Sequence, residues 1–436
     1  MRPFWFKTLI VTCITIALTW ASSRIAALRV FQLLFPESIA IKEFEFTDFA
    51  FDLKLTEHIN DQITIINIGE LNRSGIAELI NTLNTFQPEV IGIDVFFNCH
   101  GEFYDTIHCP QLRDKEGMEN LSRAIRSAND VVLVTQPLRS RRKSSNMHPV
   151  YDSLEVSDTI FSKGVASGHA LLSTLGESAE DVLACRTFDP RIELTAGTYV
   201  NAFAVEVAML YDSVKARRFL VEFQKDDEVV INYKGNIVKY GYENNGSFFK
   251  ETRHFYALDA QDILNEDVPE ALIRGRILLL EYLGTTLTSD AAEREKLYTP
   301  LNRKKIGRTF PDMYPSVVHA NIINMILTED YIYELNPLQE FLLSFMICFF
   351  HVAALLGIRI KKPHLHDLVA VVMVIALIGL IAFLRLILFA EFNIKSDLTF
   401  TIGSLALAGI VVAVYHDMLD SRLRALIKLR IKQAEG

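Results

Sequence analysis

The side chains with the most evident chemical capacity in this 436-residue chain cluster at Cys99, His100, Asp105, His108 and Cys109. Cysteine and histidine together can ligate zinc, yet the spacing here fits no usual zinc pattern. A disulfide between Cys99 and Cys109 is the simpler chemistry in an oxidising compartment; free thiols and a metal site are the alternatives. Cys13 and Cys348 fall inside apolar segments, and Cys185 reads as a buried small hydrophobe. Ser167-Gly168-His169 places a hydroxyl near an imidazole, but without the strand–turn–helix setting that arms a serine nucleophile. The chain has no phosphate-cradling loop ending in Lys-Ser or Lys-Thr and no His-Glu-x-x-His pair. Neither catalysis nor a bound cofactor is expected.

Binding then rests on how the chain positions its polar groups. Residues 62–68 form a short apolar run of strand type, and residues 74–86 carry Ile76, Leu79, Ile80 and Leu83 at helical spacing. Pro88 follows, and residues 89–95 are a second apolar run. Strand, helix and strand in that order make a βαβ unit with a right-handed crossover. Helices over 118–128, 199–210 and 314–327, with strands over 130–134, 229–233 and 276–280, extend the pattern. Runs apolar at every position belong to strands covered on both faces. The expected fold is therefore α/β, a three-layer domain with a mostly parallel sheet.

In such sheets ligands sit beyond the carboxyl ends of the strands. Those ends carry Glu70 and Asn72, then Asp94 and Asn98, then residues 281–285. His319 and Asn321, on the last helix of the domain, join them as candidate ligand contacts. Each has a structural alternative: Asp94 can cap a turn or hold backbone N–H groups, and His319 and Asn321 can be satisfied core groups. The basic run at 139–145 reads as a solvated loop, and a net charge of −9 gives no support for nucleic-acid binding.

Half of the residues are hydrophobic and the mean hydropathy is +0.21, too apolar for an ordinary soluble enzyme. Four apolar segments, at 4–21, 338–358, 368–390 and 398–415, approach the roughly 20 residues that a bilayer core requires. The first starts with Arg2 and Lys7 like a signal peptide, but no clean small-residue cleavage site follows, so an uncleaved anchor is expected. Arg359, Lys361 and Lys362 after the second segment, and Arg422, Arg424, Lys428, Arg430 and Lys432 after the fourth, assign both stretches to the cytoplasm. The organisation that follows is a first transmembrane helix over 1–21, an extracytoplasmic domain over 22–336, three transmembrane helices over 337–415 and a short basic tail over 416–436. Glu340 and Arg385, both near the outer face, are expected to pair, with lipid phosphate the competing partner for Arg385. Ser404, Ala408, Gly409 and Ala413 are small enough to let helices approach closely. The stripe Leu419, Leu423, Leu426 and Ile427 beside basic residues can lie on anionic lipid or dock a partner.

An ordered set of landmarks resembles the second type of CHASE domain, a sensory module found with bacterial cyclases and histidine kinases. It opens with Thr47-Asp48-Phe49-Ala50-Phe51-Asp52-Leu53 and continues through Ile91-Gly92-Ile93-Asp94-Val95-Phe96-Phe97. Ile231-Asn232-Tyr233-Lys234-Gly235, Tyr256 to Leu264, Arg274 to Leu280 and Gly284 follow. Asp290, Tyr298-Thr299-Pro300 and the stretch from Pro311 through His319 to Asn321 close the set. The family's usual tryptophan–proline–tryptophan–arginine stretch is replaced by Asn72-Arg73-Ser74-Gly75, and the Cys99–Cys109 insertion is unusual.

The resemblance implies a sensory input half in the bacterial cytoplasmic (inner) membrane, with its large domain in the periplasm or outside the cell. Because the chain stops soon after its last apolar segment, the output would lie on another chain or not exist. The expected partners are membrane lipid, a partner membrane protein or separate output subunit, a small extracytoplasmic ligand and a further copy of the chain, with no nucleic acid. A structural or accessory subunit of an envelope complex is the alternative.

Overall fold

The computed structural model describes residues 2–26, 48–54, 58–98, 110–139, 151–172, 184–195, 197–224, 228–240, 253–287, 296–302 and 311–420. Cys99, Cys109 and the basic tail beyond residue 420 lie outside the described residues. The chain divides into two compact units, one built from Met1–Thr47 and Tyr333–Gly436, the other from Asp48–Ile332.

Helix α1 (Arg2–Ala26) belongs to the first unit, and the second opens with the short α2 (Asp48–Lys54). The acid that begins α2 is gripped at two points by Arg186, whose Nε and Nη2 donate to Asp48 at 3.0 and 2.6 Å. Both side chains are largely buried, which makes such a fork-shaped pair a strong fastening.

The sheet is the body of this unit. Strands β1 (Ile63–Asn67) and β2 (Val90–Ile93) are buried at every position. They are joined by α3 (Arg73–Thr85), which starts where the Asn72 side chain accepts the Gly75 N–H and turns Ile76, Leu79, Ile80 and Leu83 inward. Helix α4 (Lys115–Ser127) is capped in the same way by Asp114 and leads to β3 (Val131–Arg139). Strands β4 (Tyr151–Glu155) and β5 (Ala166–His169) both pair with β3, the first antiparallel and the second parallel. Two small antiparallel pairs stand apart: β6 (Thr187–Phe188) with β9 (Val229–Val230), and β7 (Arg191–Glu193) with β8 (Tyr199–Asn201). The other flank carries β10 (Asn236–Lys239) and β11 (Arg253–Asp259), and β12 (Ile277–Glu281) inserts between β1 and β2. The order is β10-β11-β1-β12-β2-β3-β4, and every pairing except β3 with β4 is parallel.

Helices cover the sheet because its strands are apolar on both sides. Ile66, Ile91, Ile93, Leu133, Leu278 and Leu280 pack with α3, α4 and α7 (Ala260–Leu264) in one buried cluster. On alternate positions the sheet meets α5 (Phe203–Tyr211), and the approach is close enough to need glycine. A Cβ on Gly168 of β5 would lie 2.7 Å from the Phe203 Cα and backbone N. Helices α6 (Ser213–Glu222) and α8 (Pro315–Thr328) pack beside α5, and α8 is buried from Ser316 to Leu327.

The expected elements shift in three places. The helix expected over 199–210 begins only at Phe203, because residues 199–201 pair as β8 with β7. The strand expected over 229–233 ends at Val230, because Lys234 and Gly235 turn to donate their N–H groups to Asn321. Strands β10 and β11 arise in a stretch with no strand expectation.

In the other unit α1, α9 (Pro337–Lys361), α10 (His366–Phe392) and α11 (Thr399–Val414) are each part of a stretch long and apolar enough to cross a membrane. Helix α9 begins at a reciprocal cap between Asn336 and Gln339. It runs parallel to α11, tied to that helix and its flanks by Glu340 accepting the Asp397 N–H at 2.6 Å, Ser344 to Thr401 at 2.7 Å, and Arg359 to Asp417. Arg385 of α10 donates to the Ser396 carbonyl at 2.5 Å, so Glu340 and Arg385 hold neighbouring residues of one connection. In the same connection β14 (Ile394–Lys395) pairs in parallel with β13 (Tyr333–Glu334), and Lys395 bridges to Glu334 at 3.0 Å. Thr8, Thr12, Thr15 and Thr19 form a buried stripe on α1, each hydroxyl returning its proton to the carbonyl four residues back. Small residues set the spacing: Gly403 faces Thr19, Gly409 faces Ala370, and Ser404 and Ala408 are fully buried.

The glycine contact supplies a test of the sheet–helix packing. Gly168→Ala should lower the thermal unfolding midpoint, by the equivalent of about 1–3 kcal/mol, because the added methyl meets backbone that cannot rotate away. An unchanged midpoint would mean that β5 and α5 do not touch as described.

Candidate functional site

The carboxyl end of the sheet carries polar groups that the strands deliver into a closed interior. Asp94 follows β2 directly, and its backbone N–H donates to the Leu280 carbonyl at 2.9 Å, which fixes it beside β12. Its Oδ2 lies 4.0 Å from His319 Nε2 on α8, beyond hydrogen-bond reach. The start of α8 is pinned at the same edge by two bonds. The Ser316 N–H donates to Glu281 Oε2 at 3.0 Å, and the Tyr314 hydroxyl donates to the Leu283 carbonyl at 2.9 Å. Phe203 sets its ring edge-on to the His319 imidazole, with centroids 5.2 Å apart.

What distinguishes this corner is how many of its polar atoms have no partner. Among the described residues, Asp94 Oδ2, both ring nitrogens of His319, His169 Nε2, Thr135 Oγ1 and Ser316 Oγ are closed to water and make no hydrogen bond. His169 ends β5 in register with Thr135 on β3, and its Nδ1 accepts the Leu171 N–H at 3.4 Å. Buried polar groups are nearly always paired, so five residues with orphan atoms at one sheet edge call for a reason.

Burial also sets their charge. It pushes the Asp94 carboxyl up to about 7 and holds His319 down to about 3. His169 is likewise held at about 3, by burial first and by the neighbouring His319 second. Both imidazoles are therefore neutral at physiological pH, and Asp94 is poised to hold or release a proton there. Among the described residues no group of three His, Cys, Asp or Glu side chains is arranged to hold a metal ion.

The remaining candidates from the sequence have other partners. Asn72 caps α3. Glu70 is exposed and accepts the Tyr282 hydroxyl at 3.3 Å. Asn98 donates to Glu155 at 2.9 Å, while its Oδ1 is closed to water and makes no hydrogen bond. Asn321 is fully occupied: its oxygen accepts from Lys234 and Gly235, and its amide donates to the carbonyls of Gly235 and Val317. Of the six, the structure brings Asp94 and His319 together. His169, Thr135 and Ser316 are members that sequence reasoning missed. The signal for Thr135 is a polar residue directly after the apolar run Val131-Val132-Leu133-Val134, and for His169 the end of the short strand Ala166-Ser167-Gly168-His169.

Helix α8 leads away from this site. Glu329 caps it in the left-handed conformation, and Asp330 follows, its carbonyl held by the Asn232 amide and its carboxylate by Lys234 at 2.6 Å. Lys54 of α2 reaches the same charges; burial and Lys234 lower it to about 8, against the opposing pull of Asp330. The two ends of the unit thus share one charged cluster.

A family model described as the CHASE2 domain matches residues 25–357, a span that includes Asp94, His319 and the first part of α9. No curated protein and no solved structure matches the chain.

The charge assignment predicts a pH signature. A carboxyl raised from its ordinary value near 4 to about 7 binds its proton more tightly in the folded chain than in the unfolded one. Folded stability from this group is therefore lost as pH rises from about 4 to about 7, and the cost is complete above that. Asp94→Asn should be close to neutral at about pH 4 and stabilising by the order of 2–4 kcal/mol at about pH 8, read from unfolding midpoints. A variant less stable than the parent at about pH 8 would show that the carboxylate is held by a charge partner.

Proposed function

Because this chain belongs to the CHASE2 domain family, a family of sensory extracellular domains, we propose that it is a membrane-anchored sensory subunit that signals through a partner chain and catalyses nothing itself. The observation that carries the reading is the orphaned contact between Asp94 and His319. His319 rides on α8, and the chain runs from the end of α8 through residues 329–332 into β13 and then α9. A change at the contact moves the very helix whose continuation is an apolar, membrane-length helix.

On this reading α1, α9, α10 and α11 anchor the protein in the cytoplasmic membrane of a bacterium. The unit Asp48–Ile332 then lies outside the cytoplasm, since the basic residues Arg359, Lys361 and Lys362 follow α9. The same unit is taken as three layers, supported by α3 and α4 packing on one set of strand positions and α5 on the other. Transmission to the cytoplasmic end is supported by the parallel ladder between α9 and α11, tied at Glu340–Asp397, Ser344–Thr401 and Arg359–Asp417. The partner chain would engage that end.

A direct test joins residues 1–420 in frame to the catalytic half of a histidine kinase and reads a reporter gene. Asp94→Asn and His319→Gln should each change reporter output several-fold while leaving the amount of protein in the membrane unchanged. Output equal to the parent in both variants would sink the sensory reading of this site.

A further inference from the structure

We infer that the ligand read at the Asp94–His319 contact is the proton, held there as a neutral pair of carboxylic acid and imidazole and released to leave a buried carboxylate whose cost loosens the packing of β2 against α8. This rests on the sensory reading above and names what that site senses.

Room is the first argument. Asp94 Oδ2, His319 Nδ1 and Nε2, His169 Nε2, Ser316 Oγ and Thr135 Oγ1 are all closed to water. A ligand of several atoms would have to open this corner before touching them, whereas a proton needs no cavity.

The second argument is what surrounds the carboxyl. His319 of α8 faces the carboxyl, with Ser316 one turn before it, and the Phe203 ring of α5 lies against that imidazole, while His169 of β5 pairs in register with Thr135 of β3. The adjacent strand β12 contributes Glu281, already accepting the Ser316 N–H, and Glu155 of β4 is reached only through Asn98. Among the described residues the one basic group within ion-pair reach of Asp94 is His319, and burial keeps that ring neutral. A carboxylate closed off from water is expensive unless a donor reaches it, and its nearest basic group, His319, lies 4.0 Å away.

The third argument is the 4.0 Å separation itself. A protonated Asp94 carries an O–H that can donate to His319 Nε2, and closing the gap takes about 1 Å of movement to reach ordinary hydrogen-bond distance. Loss of the proton leaves an acceptor only, so the same contact then requires the other imidazole tautomer, with its N–H at Nε2. His319 lies on α8, whose chain continues through residues 329–332 into β13. The balance is simple: one proton leaves Asp94 for solvent and no other bond is made or broken.

The test is hydrogen–deuterium exchange on the full chain in lipid nanodiscs between about pH 5.5 and about pH 8.5, corrected for the intrinsic pH dependence of exchange. Peptides covering α8 and residues 329–336 should lose protection as pH rises through neutrality, by up to tenfold per pH unit, the ceiling for one proton. Asp94→Asn should flatten that profile, and His319→Gln, which keeps the carboxyl but changes its acceptor, should move the midpoint. A parental profile that is flat, or one that survives unchanged in both variants, overturns the inference. The kinase fusion separates the two levels. A flat exchange profile with altered reporter output in the variants removes the proton and leaves the sensory site standing, whereas unaltered output removes both.

Discussion

Covering the parallel sheet on both faces is the constraint from which the rest of the second unit follows. Every residue of β1, β2 and β12 is buried, so the strands can end only in groups that tolerate the interior. At β1 the problem is solved completely: Asn67 donates to Asp259 and to the Gly284 carbonyl and accepts the N–H groups of Gly69 and Leu283. Lys239 completes the set by bridging Asp259 at 2.8 Å. At β2 it is not solved: Asp94 faces a neutral imidazole across a gap. Two strand ends on either side of β12 therefore carry opposite characters, one a saturated polar lock and the other an open contact. The second is where a change of state costs least.

The placement of that contact gives it mechanical reach. Helix α8 is nearly all buried and is pinned at its start through Ser316 to Glu281 and at its middle through Asn321 to the 234–235 turn. His319 lies between those two fastenings. Beyond the helix, Asp330 is fixed by Asn232 and Lys234 before the chain enters β13. In the other unit β13 is stitched to β14, and Glu340 and Arg385 seize the next residues of the same connection. Threonine hydroxyls along α1 satisfy themselves on their own backbone, so that helix meets its neighbours through small and apolar atoms.

Much of this is legible in the sequence where the physics is local. The runs at 62–68, 89–95 and 276–280 read as covered strands because isoleucine, valine and leucine dominate them without a polar–apolar alternation, and Ile76, Leu79, Ile80 and Leu83 keep the spacing of one helix face. The four apolar segments are legible for the same reason. Strand β11 is hidden because Arg253-His254-Phe255-Tyr256 mixes charge with aromatic bulk, and its burial comes from lying beside β1, not from its own pattern. The strand expected to reach Tyr233 stops early because Asn321, from a distant helix, captures the backbone that would have continued it. Asp94 and His319 are each legible as polar residues on apolar elements. Their meeting is not, because it depends on β12 lying beside β2 and pinning α8, which no spacing along the chain encodes. The reverse holds for Asn321, which reads as a ligand contact by residue type and proves to be a clamp on backbone.

The central claim is that Asp94 carries a proton in the folded protein near neutrality because burial leaves its anion without a partner. Infrared difference spectroscopy on aspartate-labelled protein measures this directly, since a protonated carboxyl has a stretching band well separated from that of a carboxylate. The account predicts a protonated-carboxyl band at about pH 6 that is lost by about pH 8 and absent from Asp94→Asn at both. Parent spectra that show only ionised aspartate at about pH 6 would contradict it.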